Sequence, residues 1–218
     1  MDRDRPKRNR IKRIGLGEEL SANHGQGVSE MVEIDRWGEV REEDAVLVII
    51  DVQEGLVRAM EDSIGKMVVR NVQNLLGVAQ ELAMPVLSTE QYPKGLGPTV
   101  HEVRELLREP PIEKVAFDAS TLEPFTARLT PLKRRQLILT GIEAHICVLQ
   151  TCAGLLRRGY EVYVVADGAS SRRKLDWEMG LRWMEKKGAI ISTAEMIAFQ
   201  LMKEAGTERF KRLVKGFK

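Results

Sequence analysis

The feature that most constrains the fold of this chain is a regular alternation between short β-branched segments and longer segments of helical period. Six short apolar segments predict β-strands: Ala45–Asp51, Pro85–Thr89, Ile112–Phe117, Gln136–Gly141, Glu161–Ala166 and Ala189–Ser192. Six longer segments predict helices near Ile64–Ala83, Thr99–Arg108, Pro124–Leu129, His145–Arg158, Asp176–Lys187 and Thr193–Glu204. This alternation predicts an α/β fold, in which helices cover both faces of a parallel sheet. The run from Val46 to Ile50 carries no polar residue, as expected of a central strand that is buried on both faces.

The chain consists of two segments that differ in sequence character. Residues 1–30 show little hydrophobic periodicity and predict a flexible basic arm, whereas residues 31–218 predict a single domain. The whole chain has 34 lysine and arginine residues against 32 aspartate and glutamate residues, so its net charge of +2 gives no strong field for nucleic acid. The basic cluster from Arg3 to Arg13 is the one candidate for nucleic-acid binding, and a solvated tail is the favoured interpretation of it.

The distribution of apolar residues argues against a membrane span. The longest uninterrupted aliphatic run, Ala45 to Ile50, is far shorter than the roughly 20 residues that a membrane-spanning helix needs. No apolar signal segment follows the basic N-terminus, and two cysteines are too few for a disulfide framework. We therefore expect a cytoplasmic protein.

Cys147 is the first candidate for chemistry, because it lies where a predicted strand ends and a predicted helix begins. Unpaired N–H groups and the positive end of the helix dipole favour a thiolate at such a position, which predicts a lowered thiol pKa and a nucleophile. The alternative is a small buried apolar residue that packs on the sheet. Packing is the expected role of Cys152, which lies deeper in the same helix.

Asp51 and Lys114 are the other two candidates. Asp51 follows five aliphatic residues and needs a partner for its charge, although capping of the next turn is an equal explanation. Lys114 falls in the middle of the predicted third strand, where a lysine usually extends to solvent at a sheet edge. Together the three residues suggest one reaction: Asp51 accepts the thiol proton, Lys114 stabilises the anions, and the sulfur of Cys147 attacks a carbonyl-like carbon. Backbone amides between Ile142 and Cys147 are the available donors to an oxyanion.

Four stretches of the sequence resemble the isochorismatase-like cysteine hydrolase superfamily, and most closely its isochorismatase domain-containing branch. They are AVLVIIDVQ (45–53), STEQYPKGLGPT (88–99), EKVAFDAS (113–120) and LTGIEAHICVLQTCAGLLRRGYEVYVVADGASSR (139–172). The resemblance implies a three-layer, Rossmann-like fold with an open six-stranded parallel sheet of order 3-2-1-4-5-6. It also implies a catalytic triad of Asp51, Lys114 and Cys147. A cis peptide bond between Ile142 and Glu143 is implied as well, with the N–H groups of Glu143 and Cys147 as the oxyanion donors.

Departures from other branches of the superfamily narrow the expected chemistry. Members of the superfamily that hydrolyse isochorismate resemble this chain but lack the nucleophilic cysteine. Cys147 therefore argues against hydrolysis of that vinyl ether. Nicotinamidases carry an aspartate and histidine metal motif, but only His101 occurs between Asp51 and Lys114 here. We expect His101 to be a surface residue, and we expect neither a metal site nor a cofactor.

Further residues are candidates for the pocket and for subunit contacts. Gln53, Tyr92 and Phe117 could line a substrate pocket, with core packing as an equal alternative for Phe117. His145 is predicted to be a pocket or interface residue and not the base. A homo-oligomer is expected, and Trp177, Trp183 and Phe199 are candidates for its contact surface, although core burial explains them equally well.

The resulting functional hypothesis is a cysteine hydrolase that uses no metal. It would cleave a C–N bond of a small amide-like substrate through a covalent thioester intermediate. The alternative is a binding or scaffold protein that has the same fold and no catalytic activity.

Overall fold

The computed structural model describes residues 38–217 of the chain. Its strands are β1 (Ala45–Ile50), β2 (Val86–Gln91), β3 (Ile112–Lys114), β4 (Gln136–Ile142), β5 (Glu161–Ser170) and β6 (Ile190–Ser192). Its helices are α1 (Glu54–Arg58), α2 (Asp62–Glu81), α3 (Pro93–Leu96), α4 (His101–Arg104), α5 (Glu123–Leu129), α6 (Leu149–Arg157), α7 (Lys174–Lys186), α8 (Ala194–Met202) and α9 (Glu208–Leu213). The predicted arm of residues 1–30 lies outside the described residues, so the proposed division of the chain stays a prediction.

The six strands form one parallel sheet in the order β3-β2-β1-β4-β5-β6. This confirms the fold class and the strand order that the resemblance implied. β1 lies in the centre and pairs with β2 on one side and β4 on the other, and all six of its residues are buried. Its uninterrupted aliphatic sequence is therefore explained by helices on both of its faces.

Each face of the sheet has its own apolar core. Leu47 and Ile49 of β1 contribute to the core that α2 and α8 cover. Val46, Val48 and Ile50 point to the opposite face, where α5, α6 and α7 pack. Because successive side chains of a strand alternate between faces, one aliphatic strand supplies both cores and joins the three layers of the fold.

The close approach of β1 and β4 requires a glycine at their carboxyl ends. Gly141 has a φ of +128°, and a Cβ atom built there would lie 1.9 Å from the carbonyl oxygen of Ile50. Any side chain at this position would force the two strands apart. The glycine thus keeps the residue that follows β1 beside the turn that follows β4.

The third strand is shorter than the sequence predicted. β3 ends at Lys114 instead of continuing to Phe117. The next two carbonyl groups turn toward side chains: Val115 O accepts from Gln91 Nε2, and Ala116 O accepts from Lys114 Nζ. Since these carbonyls bond to side chains at the sheet edge, Lys114 is the last residue of its strand.

The predicted helix His145–Arg158 is divided into two parts. Residues Ala144–Val148 form a π-helical turn, and the regular helix α6 begins at Leu149. In this turn Glu143 O accepts from the N–H groups of both Ile146 and Val148, at 3.0 and 3.3 Å. Single π-helical turns occur often at functional sites, and this one contains Cys147.

Candidate active site

Asp51 follows β1 and carries a carboxylate that is fully buried. Its backbone adopts a left-handed conformation, with a φ of 53°, directly after the strand. Oδ1 accepts a hydrogen bond from Thr89 Oγ1 at 2.7 Å, and Oδ2 accepts one from Lys114 Nζ at 2.7 Å. Both oxygens therefore have a donor, as a buried carboxylate requires.

Lys114 provides the cation that compensates Asp51. Its position at the end of β3, beside Gln91 of β2, corrects the prediction that it lies in mid-strand and brings its side chain to the carboxyl edge of the sheet. The ammonium donates to Asp51 Oδ2 and Gln91 Oε1, each at 2.7 Å, and to Ala116 O at 3.3 Å. Three acceptors match the three donors of an ammonium group, so this charge is held in one place.

The thiol of Cys147 lies close enough to this ion pair to interact electrostatically with both charges. The residue is only 5% exposed. Burial, and after it the Asp51 carboxylate, raises the pKa of the Cys147 thiol to about 12, and Lys114 acts in the opposite direction. The lowered pKa that we predicted from the helix position was wrong, because loss of solvation outweighs the favourable charge of the lysine. At neutral pH the sulfur is therefore a neutral thiol beside a carboxylate.

The two predicted oxyanion donors belong to the segment around this turn. The peptide bond between Ile142 and Glu143 is cis, as the resemblance implied. Glu143 precedes the π-helical turn and Cys147 lies within it. The N–H groups of these two residues stay predicted donors.

Gln53 fixes the loop beside the site through backbone contacts. The residue is fully buried, and its Nε2 donates to the carbonyl oxygens of Gln91 and Gly97 at 3.0 and 2.7 Å. Its Oε1 accepts from the N–H of Gln91 at 2.7 Å. Both amide protons are thus committed to the protein, so Gln53 holds β2 and the loop at Gly97 together.

Tyr92 and Phe117 lie at the surface near the ends of β2 and β3. Their side chains are 55% and 49% exposed. Tyr92 is anchored through its N–H, which donates to Lys114 O at 2.8 Å, and its ring packs over Gly95. Since Phe117 is not in the core, the packing alternative for it is wrong. A role for either ring as a cover over substrate stays a prediction.

Two residues of the site lie at or just after the end of the predicted second strand, but the sequence assigned them no role. Thr89 donates to Asp51, and Gln91 accepts from Lys114. Both lie on β2, two positions apart, so their side chains point to the same side of the sheet. That spacing at the end of a strand was the available signal, but the strand was predicted to end at Thr89.

Two further sequence candidates, His101 and Cys152, form no hydrogen bond with Asp51 or Lys114. His101 is exposed and pairs with Glu105 at 3.2 Å, as expected of a surface residue. Cys152 is buried in the core on the α6 side, and burial raises its pKa to about 12.

Among residues 38–217 there is no group of three or more histidine, cysteine or carboxylate side chains that could hold a metal ion. Within the same residues, no helix is both long enough and apolar enough to cross a membrane.

A cavity of about 380 Å³ lies away from the candidate site. It is lined by residues at the amino-terminal end of β2, among them Pro85 and Val86, and by Leu106 and Leu107. Asp51, Lys114 and Cys147 are at the opposite, carboxyl end of the strands. In open α/β sheets ligands bind at that carboxyl end, which makes this cavity a poor candidate for the reaction site.

The buried ion pair predicts a specific pattern of stability. We expect Lys114→Met to lower the free energy of unfolding by about 3–5 kcal/mol, because it leaves the Asp51 carboxylate buried without a cation. The double variant Asp51→Asn, Lys114→Met should recover a large part of that loss. Urea denaturation followed by circular dichroism at pH 7 measures both.

A matched control is the exposed pair between Lys66 and Asp62, which has a similar N–O distance of 2.6 Å. Lys66→Met should change the stability little, since exposed ion pairs contribute little. Equal losses in the Lys114 single variant and the double variant would contradict a charge-compensated site.

The chain is similar in sequence to one family domain and to proteins of several organisms. The isochorismatase domain matches residues 45–196. The secreted isochorismatase effector Isc1 of Phytophthora sojae is 38% identical over 186 residues, which cover 83% of this chain and 87% of that protein. Human isochorismatase domain-containing protein 2 is 38% identical over 180 residues, which cover 82% and 85% of the two chains.

A solved structure is similar to this chain in fold as well as in sequence. MAR1 ribonuclease from Caenorhabditis elegans superposes with a TM-score of 0.75 at 35% identity, and the match covers 82% of this chain and 91% of that one. The domain match spans the sheet, the motifs and the turn that carries Cys147. The chain therefore belongs to the isochorismatase family.

Proposed function

We propose that this protein is a cysteine hydrolase that cleaves a C–N bond of a small amide. The observation that carries the proposal is the position of the Cys147 thiol beside the Asp51 carboxylate, which Lys114 and Thr89 hold in place. Membership of the isochorismatase family supports a hydrolase in general. The roles of the individual residues and the choice of an amide are our proposal.

The first half of the proposed reaction forms a thioester. Asp51 takes the proton of the Cys147 thiol as the sulfur attacks the amide carbon. Backbone N–H groups of Glu143 and Cys147 stabilise the oxyanion that develops on the former carbonyl oxygen. The C–N bond then breaks, the leaving nitrogen takes the proton from Asp51, and an amine or ammonia departs.

The second half uses water and restores the thiol. Asp51 takes a proton from the attacking water as its oxygen bonds to the thioester carbon. The C–S bond breaks, a carboxylic acid is released, and the proton on Asp51 returns to the sulfur. The reaction needs side chains, backbone amides and water, and no cofactor takes part in it.

The neutral state of the thiol gives Asp51 and Lys114 distinct tasks. Because burial raises the pKa of Cys147, a free thiolate would be costly in the resting site, and proton transfer must accompany the attack. Asp51 is the adjacent acceptor for that proton. Lys114 keeps the carboxylate fixed through Oδ2 and offsets the negative charge that passes between sulfur and carboxylate.

A rival proposal is a binding or scaffold protein with the same fold. The observation that favours it is the 5% exposure of Cys147, since a substrate must reach the sulfur. On the hydrolase proposal, the exposed side chains of Tyr92 and Phe117, which follow β2 and β3, move to admit the substrate and then cover it. On the scaffold proposal, wild-type protein turns over no amide.

Replacement of the two cysteines separates these proposals. We expect Cys147→Ala to reduce hydrolysis of a panel of small primary and N-substituted amides by at least about a thousandfold, because the nucleophile is lost. Cys152→Ala should keep most of the activity, since that thiol lies in the core and not beside Asp51. Release of ammonia or amine measures turnover, and circular dichroism checks folding of both variants.

The outcomes are distinct. Full activity in the Cys147→Ala protein would exclude Cys147 as the nucleophile. A wild-type protein that hydrolyses none of the amides would favour the scaffold. Incubation of wild-type protein with single-stranded RNA, followed by gel electrophoresis of the products, tests whether the activity named for the C. elegans relative extends to this chain.

We also propose that the protein self-associates through an apolar surface on α7. Leu175, Met179 and Trp183 are exposed and four residues apart, so they form one stripe along the helix. Phe199 is also exposed, at 41%. Trp177 is not part of this surface, because its Nε1 donates to the carbonyl oxygens of Ala166 and Ala169 within the fold.

The self-association proposal predicts a change in molecular mass. Light scattering should show wild-type protein as an oligomer and the Met179→Arg, Trp183→Arg variant as a smaller species, because two charges would be buried in the contact. Arg157→Met, an exposed change on another helix, is the control and should leave the mass unchanged. A monomeric wild type would refute the proposal.

A further inference from the structure

A second cavity, of about 470 Å³, lies beside the turn that carries Cys147. Four side chains line it: His145 from the π-helical turn, and Arg172, Arg173 and Asp176 from the connection between β5 and α7. Its size is within the usual range for cavities that hold small molecules. All four lining side chains carry polar or charged groups.

Strand pairing places this cavity at the same edge of the sheet as the candidate active site. Ile142 of β4 is paired with Ser170 of β5, so the residues after each strand are neighbours. Arg172 Nε donates to Glu143 Oε1 at 2.9 Å, which joins the β5–α7 connection to the start of the Cys147 turn. A ligand in the cavity would therefore lie against the turn that carries the proposed nucleophile.

Of the four lining side chains, two form a hydrogen bond or ion pair within the protein and two do not. Arg172 is paired with Glu143, and His145 Nδ1 is hydrogen-bonded to Ser171 Oγ at 2.9 Å. The side chains of Arg173 and Asp176 form no ion pair or hydrogen bond with any part of residues 38–217, including each other. Asp176 interacts with Arg172 through charge but not through a direct contact, so the cavity offers one positive and one negative group that have no direct partner.

We propose that this cavity binds the non-reacting end of the substrate, and that this end is a zwitterion. Its carboxylate would pair with the guanidinium of Arg173, which suits two parallel hydrogen bonds, and its ammonium would pair with Asp176. The substrate class is an amide whose far end is an α-amino acid. This assignment rests on the proposed function, since it takes Cys147 as the group that attacks the amide.

Other ligand classes fit the two charges less well. A phosphate ester would pair with Arg173 but would be repelled by Asp176 and by the Glu143 carboxylate behind Arg172. An apolar ligand would remove water from both charged groups without replacing its hydrogen bonds, which is costly. Only a ligand with both charges compensates Arg173 and Asp176 together.

Four amides with one carbon chain separate these classes. L-glutamine carries both charges, glutaramate only the carboxylate, 4-aminobutanamide only the ammonium, and butanamide neither. Binding is measured on Cys147→Ala protein, in which no thioester can form. The imidazole NMR signals of His145, assigned with a His145→Gln variant, report occupation of the cavity.

We expect L-glutamine to bind at least about tenfold more tightly than each of the other three amides, because each charge-assisted hydrogen bond contributes that much or more. Arg173→Gln should remove the preference over 4-aminobutanamide, and Asp176→Asn should remove the preference over glutaramate. Lys174→Gln is the matched control: Lys174 lies in the same turn but is exposed and 3.8 Å from Glu178, so it should leave the affinity unchanged.

Equal affinity for all four amides, or no shift of the His145 signals with any of them, would overturn the zwitterion site. The proposed function fails in a different way. Binding of L-glutamine to the variant without turnover by wild-type protein would uphold the site and count against the hydrolase. Turnover of all four amides at equal rates would uphold the hydrolase and count against the site.

Discussion

The buried ion pair between Asp51 and Lys114 is the interaction on which the rest of the site depends. Two charges removed from water are stable only when further hydrogen bonds satisfy them. Here Thr89, Gln91 and Ala116 supply those bonds, and they come from β2 and from the residues after β3. Because β1, β2 and β3 are parallel neighbours, their carboxyl ends bring these groups together. The strand order is thus the condition for the ion pair.

The other half of the site is supplied by the strand on the opposite side of β1. Gly141 lets β4 approach β1 so closely that the turn after β4 carries Cys147 to the carboxylate. At that position the sulfur is largely removed from water, which is the main reason why the pKa of the thiol is raised to about 12. A neutral thiol beside the lysine-paired Asp51 side chain is suited to concerted proton transfer and attack, and less suited to chemistry that needs a permanent thiolate.

Much of the fold could be predicted from sequence because its signals are local. The aliphatic run of β1 and the alternation of strands and helices gave the fold class, and the resemblance gave the strand order. The end of β3 could not be predicted, because it depends on carbonyls that bond to Gln91 and Lys114 instead of to a neighbouring strand.

In the candidate site, too, the sequence indicated the residues with local motifs but not the contacts between distant segments. Its motifs indicated Asp51, Lys114 and Cys147, but the contributions of Thr89 and Gln91 depend on contacts between strands that are far apart in the chain. The pKa of Cys147 was predicted in the wrong direction, since a helix terminus is visible in sequence and desolvation is not. The pairing of Arg172 with Glu143 was missed for the same reason as the contacts of β2.

The most direct test of this account is the pH dependence of Cys147 alkylation in the Cys152→Ala variant, in which Cys147 is the only thiol. If the thiol is neutral in the resting site, the rate constant for iodoacetamide should rise about tenfold per pH unit from pH 7 to beyond pH 10, without a plateau. A rate constant that is already constant between pH 7 and pH 9 would show a thiolate held by Lys114. That result would contradict the proposed transfer of the thiol proton to Asp51.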